Sequence, residues 1–308
     1  MTTPFSIVSK DTLYNKDMKG IVLAGGTGSR LWPITQGISK QLLPIYDKPM
    51  IYYPISTLML AGVREILVIT TPHDQRQFRE LLGDGSRFGI SLEYEVQHEP
   101  KGIAEALKIA RNFLAGDSCL LILGDNIFHG VGLGMELQKS IPTSGAHIFT
   151  YNVSNPNQYG VLNLSNEGEP ASIEEKPTFP KSNLAITGLY FFDHKATSFV
   201  DQIEPSSRGE LEIISLLQIY LNNDELSVTH LSRGTAWLDT GTIEALQNAA
   251  TYIRVIEQRT GLKIGCIEEI AYFQNWINDE LLYQNSLPMK NDYGNYLRSL
   301  LGGYIGKQ

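Results

Sequence analysis

Gly20-Ile21-Val22-Leu23-Ala24-Gly25-Gly26-Thr27-Gly28-Ser29-Arg30-Leu31 is the stretch on which the reading of this chain turns. A short apolar run passes straight into a cluster of glycines. Such a run predicts a strand buried on both faces, as in the middle of a parallel sheet. Glycines at its end let the backbone approach a ligand with no Cβ between, so successive N–H groups can face phosphate oxygens. A tight structural turn would give the same glycines. Neither common phosphate loop fits. No Lys-Ser or Lys-Thr follows the glycines, as a Walker A loop requires, and Leu31 stands where a dinucleotide fingerprint has its third glycine. Asp47 lies at the spacing of a ribose-binding acid, but in a proline-rich turn and not at a strand end.

Outward from this stretch, apolar runs at residues 65–70, 91–96, 119–123 and 147–153 predict further strands. Amphipathic segments separate them. Ile103, Ala106, Leu107, Ala110 and Phe113 recur at helical spacing within residues 102–114. Residues 50–60 are apolar nearly all round, which predicts a buried helix with Pro54 near its first turn. The alternation predicts an α/β fold: a Rossmann-like, mixed, mostly parallel sheet covered by helices on both faces. Shorter strands at residues 159–164, 185–192 and 226–231 predict a second lobe that continues the same sheet.

The expected organisation has three parts. Residues 1–17 form an N-terminal extension, and residues 18–241 form the α/β domain. Within that domain, residues 18–150 are the first part and residues 151–241 the second. Residues 242–308 form a C-terminal helical segment. Its aromatic residues, Tyr272, Phe273, Trp276, Tyr283, Tyr293, Tyr296 and Tyr304, fit either a subunit interface or packing on the sheet.

Composition narrows the function. The 308 residues are 42% hydrophobic and 19% charged, as in an ordinary globular protein. A net charge of −8 weighs against nucleic acid as a partner. Small anions stay open, because a local group of Arg and Lys holds a phosphate whatever the net charge. The two cysteines cannot build a disulfide framework, and Cys119 sits in an apolar run as a buried thiol would. A reducing, cytoplasmic setting is expected. No apolar run nears the roughly 18–20 residues that span a bilayer, so no membrane partner is expected. Residues 1–17 carry Asp11 and Asp17 and lack the apolar core of a secretory signal. The six histidines show no zinc-binding spacing.

Several charged residues complete the glycine turn. Arg30 closes it and Lys40 follows shortly after. A guanidinium clamps two phosphate oxygens, and an ammonium adds a point charge. Asp125, in Leu123-Gly124-Asp125-Asn126, falls at the end of the fourth strand, where open α/β sheets bind ligands. Asp239, in Trp237-Leu238-Asp239-Thr240-Gly241, falls just before a helix. Singly, each is equally a turn or cap residue. Together they suit Mg²⁺, which takes one or two carboxylates plus substrate phosphates. Glu175 and Lys176 set an acceptor for sugar hydroxyls beside a cation for phosphate, or else form a plain surface ion pair.

These motifs carry a resemblance. Leu23-Ala24-Gly25-Gly26-x-Gly28-x-Arg30-Leu31 followed by Lys40-Gln41-Leu42-Leu43-Pro44 is similar to the signature of the sugar-1-phosphate nucleotidyltransferases. Residues 40–62 and Leu82-Gly83-Asp84-Gly85-Ser86 resemble the glucose-1-phosphate thymidylyltransferase family in particular. The likeness runs from Met18 to about Leu301. It implies transfer of a thymidylyl group from dTTP to glucose 1-phosphate, with Mg²⁺ as cofactor, giving dTDP-glucose and pyrophosphate. It also implies a homotetramer that opens the route to dTDP-sugars such as dTDP-rhamnose.

The resemblance implies roles by position. Leu23, Gly25, Gly26, Gly28, Ser29, Arg30, Lys40, Gln41, Gln97, Gly102 and Asp125 would meet the nucleotide, with Gln97 reading the base edge. Tyr159, Gly160, Glu175, Lys176 and Gly188 would meet the sugar phosphate in a sugar-binding lobe. Asp125 and Asp239 would hold the metal, and with Arg30, Lys40 and Lys176 they form the implied catalytic set. The chain departs from the family pattern at Lys101, Glu105 and Ile214-Ser215, where Asp, Gln and Thr-Asp are usual. Those changes leave the phosphate and metal positions intact. Two rival readings are a nicotinamide-dependent oxidoreductase, which lacks its third glycine here, and a non-catalytic sugar-nucleotide sensor, which would have no need of both metal carboxylates.

Overall fold

The computed structural model describes residues 18–26 and 28–302. The expected extension at residues 1–17, together with Thr27 and Tyr304, lies outside the described residues. The first half of the chain alternates strands and helices. It runs β1 (Met18–Ala24), a small hairpin of β2 (Pro44–Ile45) and β3 (Lys48–Pro49), α1 (Tyr52–Leu60), β4 (Glu65–Thr70) and α2 (Gln75–Leu82). Next come β5 (Ser91–Val96), α3 (Glu105–Ile109), α4 (Arg111–Leu114), β6 (Ser118–Leu123), β7 (Asn126–His129), α5 (Leu133–Ser140) and β8 (Ala146–Asn152). The second half adds β9 (Gly160–Leu164), β10 (Pro170–Glu175), β11 (Leu184–Phe192), α6 (Ala196–Phe199), α7 (Ile213–Asn222), β12 (Leu226–His230) and β13 (Ala236–Asp239). Four helices end it: α8 (Ile243–Thr260), α9 (Ile267–Phe273), α10 (Asp279–Ser286) and α11 (Asp292–Leu301).

The glycine-ended strand β1 lies inside a nine-stranded mixed sheet. It pairs in parallel with β4 on one side and β6 on the other, and β5 extends β4 in parallel. The carboxyl ends of β1, β4, β5 and β6 therefore gather along one edge, where ligands bind in such sheets. β11 runs antiparallel to β6 and to β8, and β12 joins β8 in parallel. The β9–β10 pair meets β11 at Ala185. The second lobe thus continues the first sheet, as the sequence predicts.

Period-two alternation builds a core on each face. Val22, Ile66, Val68, Leu120 and Ile122 pack on one side with α1, α9 and α11. Ile21, Leu67, Ile69, Cys119 and Leu121 pack on the other with α3, α4 and α7. Each strand of this centre is buried twice, which is why its sequence is apolar without interruption. Cys119 and Cys266 are free and buried, and burial pushes the Cys119 thiol up to about 12. No helix among the described residues is long and apolar enough to cross a membrane.

Two expectations change in detail. The helix predicted over residues 102–114 starts late and divides at Ala110, whose ψ is −3°. Its expected first turn is diverted: Lys101 O accepts from Leu211 N at 2.7 Å, and Ala104 N donates to Leu211 O at 3.1 Å. In the tail, Tyr293 and Tyr296 are buried, and Tyr272, Phe273 and Trp276 pack against the main core. Those three stay partly exposed, and Tyr283 is 45% exposed.

Candidate active site

The glycine turn begins where β1 stops. Gly25 is buried and Gly26 exposed. Gly28 has φ +62°, the left-handed conformation that glycine adopts without a Cβ penalty. Its carbonyl accepts from Leu31 N at 2.9 Å and from Thr35 Oγ1 at 2.7 Å, which closes a single turn over Ser29–Leu31. Ser29 and Arg30 are exposed on that turn. A second short turn, Lys40–Leu42, brings the Lys40 ammonium onto Asp125 Oδ2 as an ion pair.

Backbone register supplies the second carboxylate. Asp125 follows β6 directly, and β7 then pairs antiparallel with β13 so that Asp239 lies opposite Asn126. Thr240 secures the junction by donating to the Asp125 carbonyl from its N–H at 3.2 Å and its hydroxyl at 2.8 Å. The two acids have unlike environments. Burial works against the Asp125 carboxylate, but Lys40 and a hydrogen bond from Asn126 outweigh it and hold its pKa below the usual range. Burial, then the charge of Asp125, push the Asp239 carboxyl up to about 6, against the pull of Lys40 and Arg30. A carboxylate kept near another in this way suits a divalent cation. Among the described residues, no group of three or more His, Cys, Asp or Glu could hold a metal. Two acids alone fit a hard cation that completes its shell with phosphate oxygens and water.

The residues expected to meet the sugar phosphate lie on and beside β9 and β10. Glu175 lies opposite Gly160, and a Cβ on Gly160 would sit 2.8 Å from Ile214 Cδ1 and 3.5 Å from Glu175 Oε2. Lys176 N donates to Tyr159 O at 3.0 Å. Lys176 itself has φ +42°, a strained value for a residue with a Cβ, and its Nζ lies 3.2 Å from Glu175 Oε1. The Tyr159 ring leans on Trp237 with centroids 5.1 Å apart, which links β9 and β10 to the strand carrying Asp239.

Comparison with known proteins fits this geometry. A family model described as nucleotidyl transferase matches residues 19–255. The chain belongs to the nucleotidyl transferase family. Among curated relatives of this nucleotidyl transferase, glucose-1-phosphate thymidylyltransferase of Mycobacterium tuberculosis is 52% identical over 92% of this chain and 99% of its own. The Neisseria meningitidis protein of the same name is 53% identical, again over 92% of this chain and 99% of its own. A solved structure from Bacillus anthracis, provisionally designated a glucose-1-phosphate thymidylyltransferase and bound to sucrose, matches with TM-score 0.71 and 40% identity. It covers 77% of this chain and 95% of that one. A UDP-glucose pyrophosphorylase with UDP-glucose matches with TM-score 0.69 at 21% identity, over 78% of this chain and 99% of that one, and shares the fold.

The remaining expected residues of this nucleotidyl transferase fall around the same edge. Gln97 follows β5 and is 5% exposed, with Gly102 O within hydrogen-bond reach at 3.2 Å. Gln41 is buried beneath Gly124, and its side-chain oxygen accepts from Ser39 Oγ at 2.8 Å. Its place is therefore in the wall of the site. Asp47 belongs to a separate network with Lys48 at 2.5 Å and with Lys263, so it is not a ribose ligand in waiting.

Two residues escaped the sequence reading. Asn126 is 3% exposed and ties three strands together. Its Nδ2 donates to Asp125 Oδ1 at 2.9 Å, while its Oδ1 accepts from Trp237 Nε1 at 2.6 Å and Gly188 N at 3.2 Å. An Asn after an Asp at a strand end looks like a turn, so no local signal marked it. Arg208 sits 3.6 Å from Glu175 and 2.8 Å from Glu212, adding a cation beside Lys176. The Asn126 hub also explains Gly188, where a Cβ would lie 2.7 Å from Asn126 Cγ and Oδ1. Gly188→Ala is therefore expected to lower kcat/KM about 10-fold or more by displacing Asn126 and hence Asp125. Steady-state assays beside thermal melts check this; unchanged kinetics would remove Asn126 from the argument.

Proposed function

We propose that this nucleotidyl transferase is a glucose-1-phosphate thymidylyltransferase. The observation that carries the reading is the meeting of Lys40, Asp125 and Asp239 at the carboxyl edge of the sheet, joined through Trp237 and Tyr159 to Glu175 and Lys176. The relatives' names supply the substrates, dTTP and glucose 1-phosphate.

The reaction is a single in-line displacement. A phosphate oxygen of glucose 1-phosphate forms a bond to the α-phosphorus of dTTP, and the bond to pyrophosphate breaks. The phosphate monoester is already a nucleophile, so no side chain need take a proton. Catalysis is then positioning and charge stabilisation. Arg30 steadies the departing pyrophosphate. Lys40 steadies the α-phosphoryl oxygens, and Lys176 guides the attacking phosphate while Glu175 accepts from sugar hydroxyls. Asp125 and Asp239 would hold Mg²⁺, which when bound neutralises triphosphate charge. We place the enzyme in the cytoplasm, beside its nucleotide pool, and expect a homotetramer, which light scattering on the purified protein checks.

Pyrophosphate release over four nucleotides and several sugar 1-phosphates, with and without Mg²⁺, tests the reading. No release with dTTP and glucose 1-phosphate would sink it. Within it, Lys176→Ala is expected to reduce transfer by about 10²–10³, the cost of one transition-state charge contact. Near-normal turnover would remove Lys176 from its role.

A further inference from the structure

Between the end of α9 and the start of α10 the surface holds a groove of about 780 Å³. Tyr272, Phe273, Trp276 and Leu281 line it, with Asp279 at the rim. All four pack against the main core and remain partly exposed. The walls are firmly set. The Tyr272 hydroxyl donates to Asp279 Oδ1 at 2.9 Å, and Trp276 N donates to Ala271 O at 2.8 Å. Trp276 also rests on Gly89, where a Cβ would lie 2.6 Å from the Trp276 carbonyl oxygen. The Arg64 guanidinium stands 5.3 Å from the Trp276 ring. Arg64 and Gly89 fix the height of the groove on the sheet. Glu65 opens β4 and pairs with Ser91, which opens β5, and Gly20 of β1 pairs with Ile66. The groove therefore lies at the amino end of the parallel strands, opposite the edge that carries Asp125. Met18 opens β1 at that same amino end and belongs to the same core. It is two strands from β5, roughly 10 Å to the side.

We propose that residues 1–17 are an intramolecular strap whose apolar side chains close this aromatic groove. The segment joins the fold at Met18 and carries Phe5, Ile7, Val8, Leu13 and Tyr14. The match to the nucleotidyl transferase family begins at residue 19, so the strap is an addition to the shared fold. Reach is ample: 17 extended residues span up to roughly 55 Å, several times the distance from Met18 to the groove. The tether also decides between occupants. A segment fixed so close to its site is present at an effective concentration on the order of millimolar, which favours it over a free partner of equal intrinsic affinity. Its chemistry fits the walls. Phe5 and Tyr14 offer rings to a groove built of rings, where aromatic pairs add to plain area burial. Lys10 and Lys16 carry the charge opposite to Asp279 and Glu280 at the start of α10, and Asp11 and Asp17 the charge opposite to Arg64. The strap acts at the far end of the sheet from Asp125 and is independent of which nucleotide the protein takes.

Backbone hydrogen exchange on the full chain tests the strap. Wild type is compared with a strap variant that carries Phe5→Ser, Ile7→Ser, Val8→Ser, Leu13→Ser and Tyr14→Ser together, with the groove variant Trp276→Ala, and with the two combined. In the strap variant, amides of residues 272–281 are expected to exchange about tenfold or more faster, while those of β1 keep their wild-type rates. The combined variant is expected to exchange no faster than Trp276→Ala alone, because the strap then has no wall to meet. Equal exchange over residues 272–281 in wild type and strap variant overturns the strap. Faster exchange spread evenly over β1 as well overturns it too, as a general loss of stability. So does faster exchange that comes only with a fall in mass by light scattering, since a second copy would then be the cover. Should Trp276→Ala not fold, Phe273→Ser takes its place in the comparison.

Discussion

Asp125→Asn is expected to cut nucleotide transfer by about 10³ while leaving the fold in place. The substitution keeps the shape of the side chain and an oxygen that can accept from Asn126 Nδ2, which lies 2.9 Å away in the wild type. It removes the charge, and that charge has two duties. It pairs the Lys40 ammonium, and with Asp239 it forms the acidic pair suited to a divalent cation. An unpaired Lys40 would swing toward the nearest anion, which is Asp239 or the substrate itself. Either way the cation leaves the place from which it steadies the α-phosphoryl oxygens. Losing one positioned charge costs about 10²–10³ in rate, and two are disturbed here. Stability should move far less. Breaking the ion pair destabilises, but the same change relieves the repulsion that raises Asp239, so the net shift is on the order of 1 kcal/mol. Pyrophosphate release at saturating substrates and thermal melts in parallel separate the two effects. Turnover within tenfold of wild type would show that Asp125 is a turn residue after all.

The parts of this site differ in how far they could be read from the sequence. The strands β1, β4, β5 and β6 are legible because burial on both faces, or a plain alternation in β5, writes itself into local composition. Helix α1 is legible for the same reason, with every residue from Tyr52 to Met59 buried. What local pattern cannot carry is pairing across the chain. The β7–β13 register that sets Asp239 opposite Asn126 joins residues far apart in sequence, and so does the Leu211 backbone that delays α3. The resemblance bridged the first gap by naming both acids. It did not mark Asn126, whose work is to hold other residues. The tail aromatics were ambiguous because an aromatic stripe shows that a face is covered without showing by what. For Tyr293 and Tyr296, the cover includes Glu268 and Glu269 of α9, which their hydroxyls meet at 2.6 and 2.7 Å.

Asp239→Asn is expected to raise the stability of the metal-free protein at neutral pH and to lower activity nearly as far as Asp125→Asn does. The folded protein holds the Asp239 proton up to about pH 6, against an ordinary value of 3.8. Between those values the folded state binds more protons than the unfolded chain, so unfolding free energy falls as pH rises. The contribution is fully present below 3.8 and is lost by the time pH passes about 6. Asparagine is neutral throughout and has no such decline. Melts of the metal-free proteins should therefore agree near pH 4 and diverge by pH 7.5, with the variant more stable on the order of 2 kcal/mol. Magnesium should close that gap by stabilising the wild type, through binding to its ionised pair, and should leave the variant nearly unmoved. Transfer by the variant should fall about 10³, and wild-type transfer should weaken in acid as the carboxylate takes up its proton, at a pH below the metal-free value because Mg²⁺ competes with that proton. Parallel melting curves for the two proteins across this range would refute the account. Divergence in the expected sense would mean that the second carboxylate is kept at a cost to the empty fold, because the loaded site needs both charges.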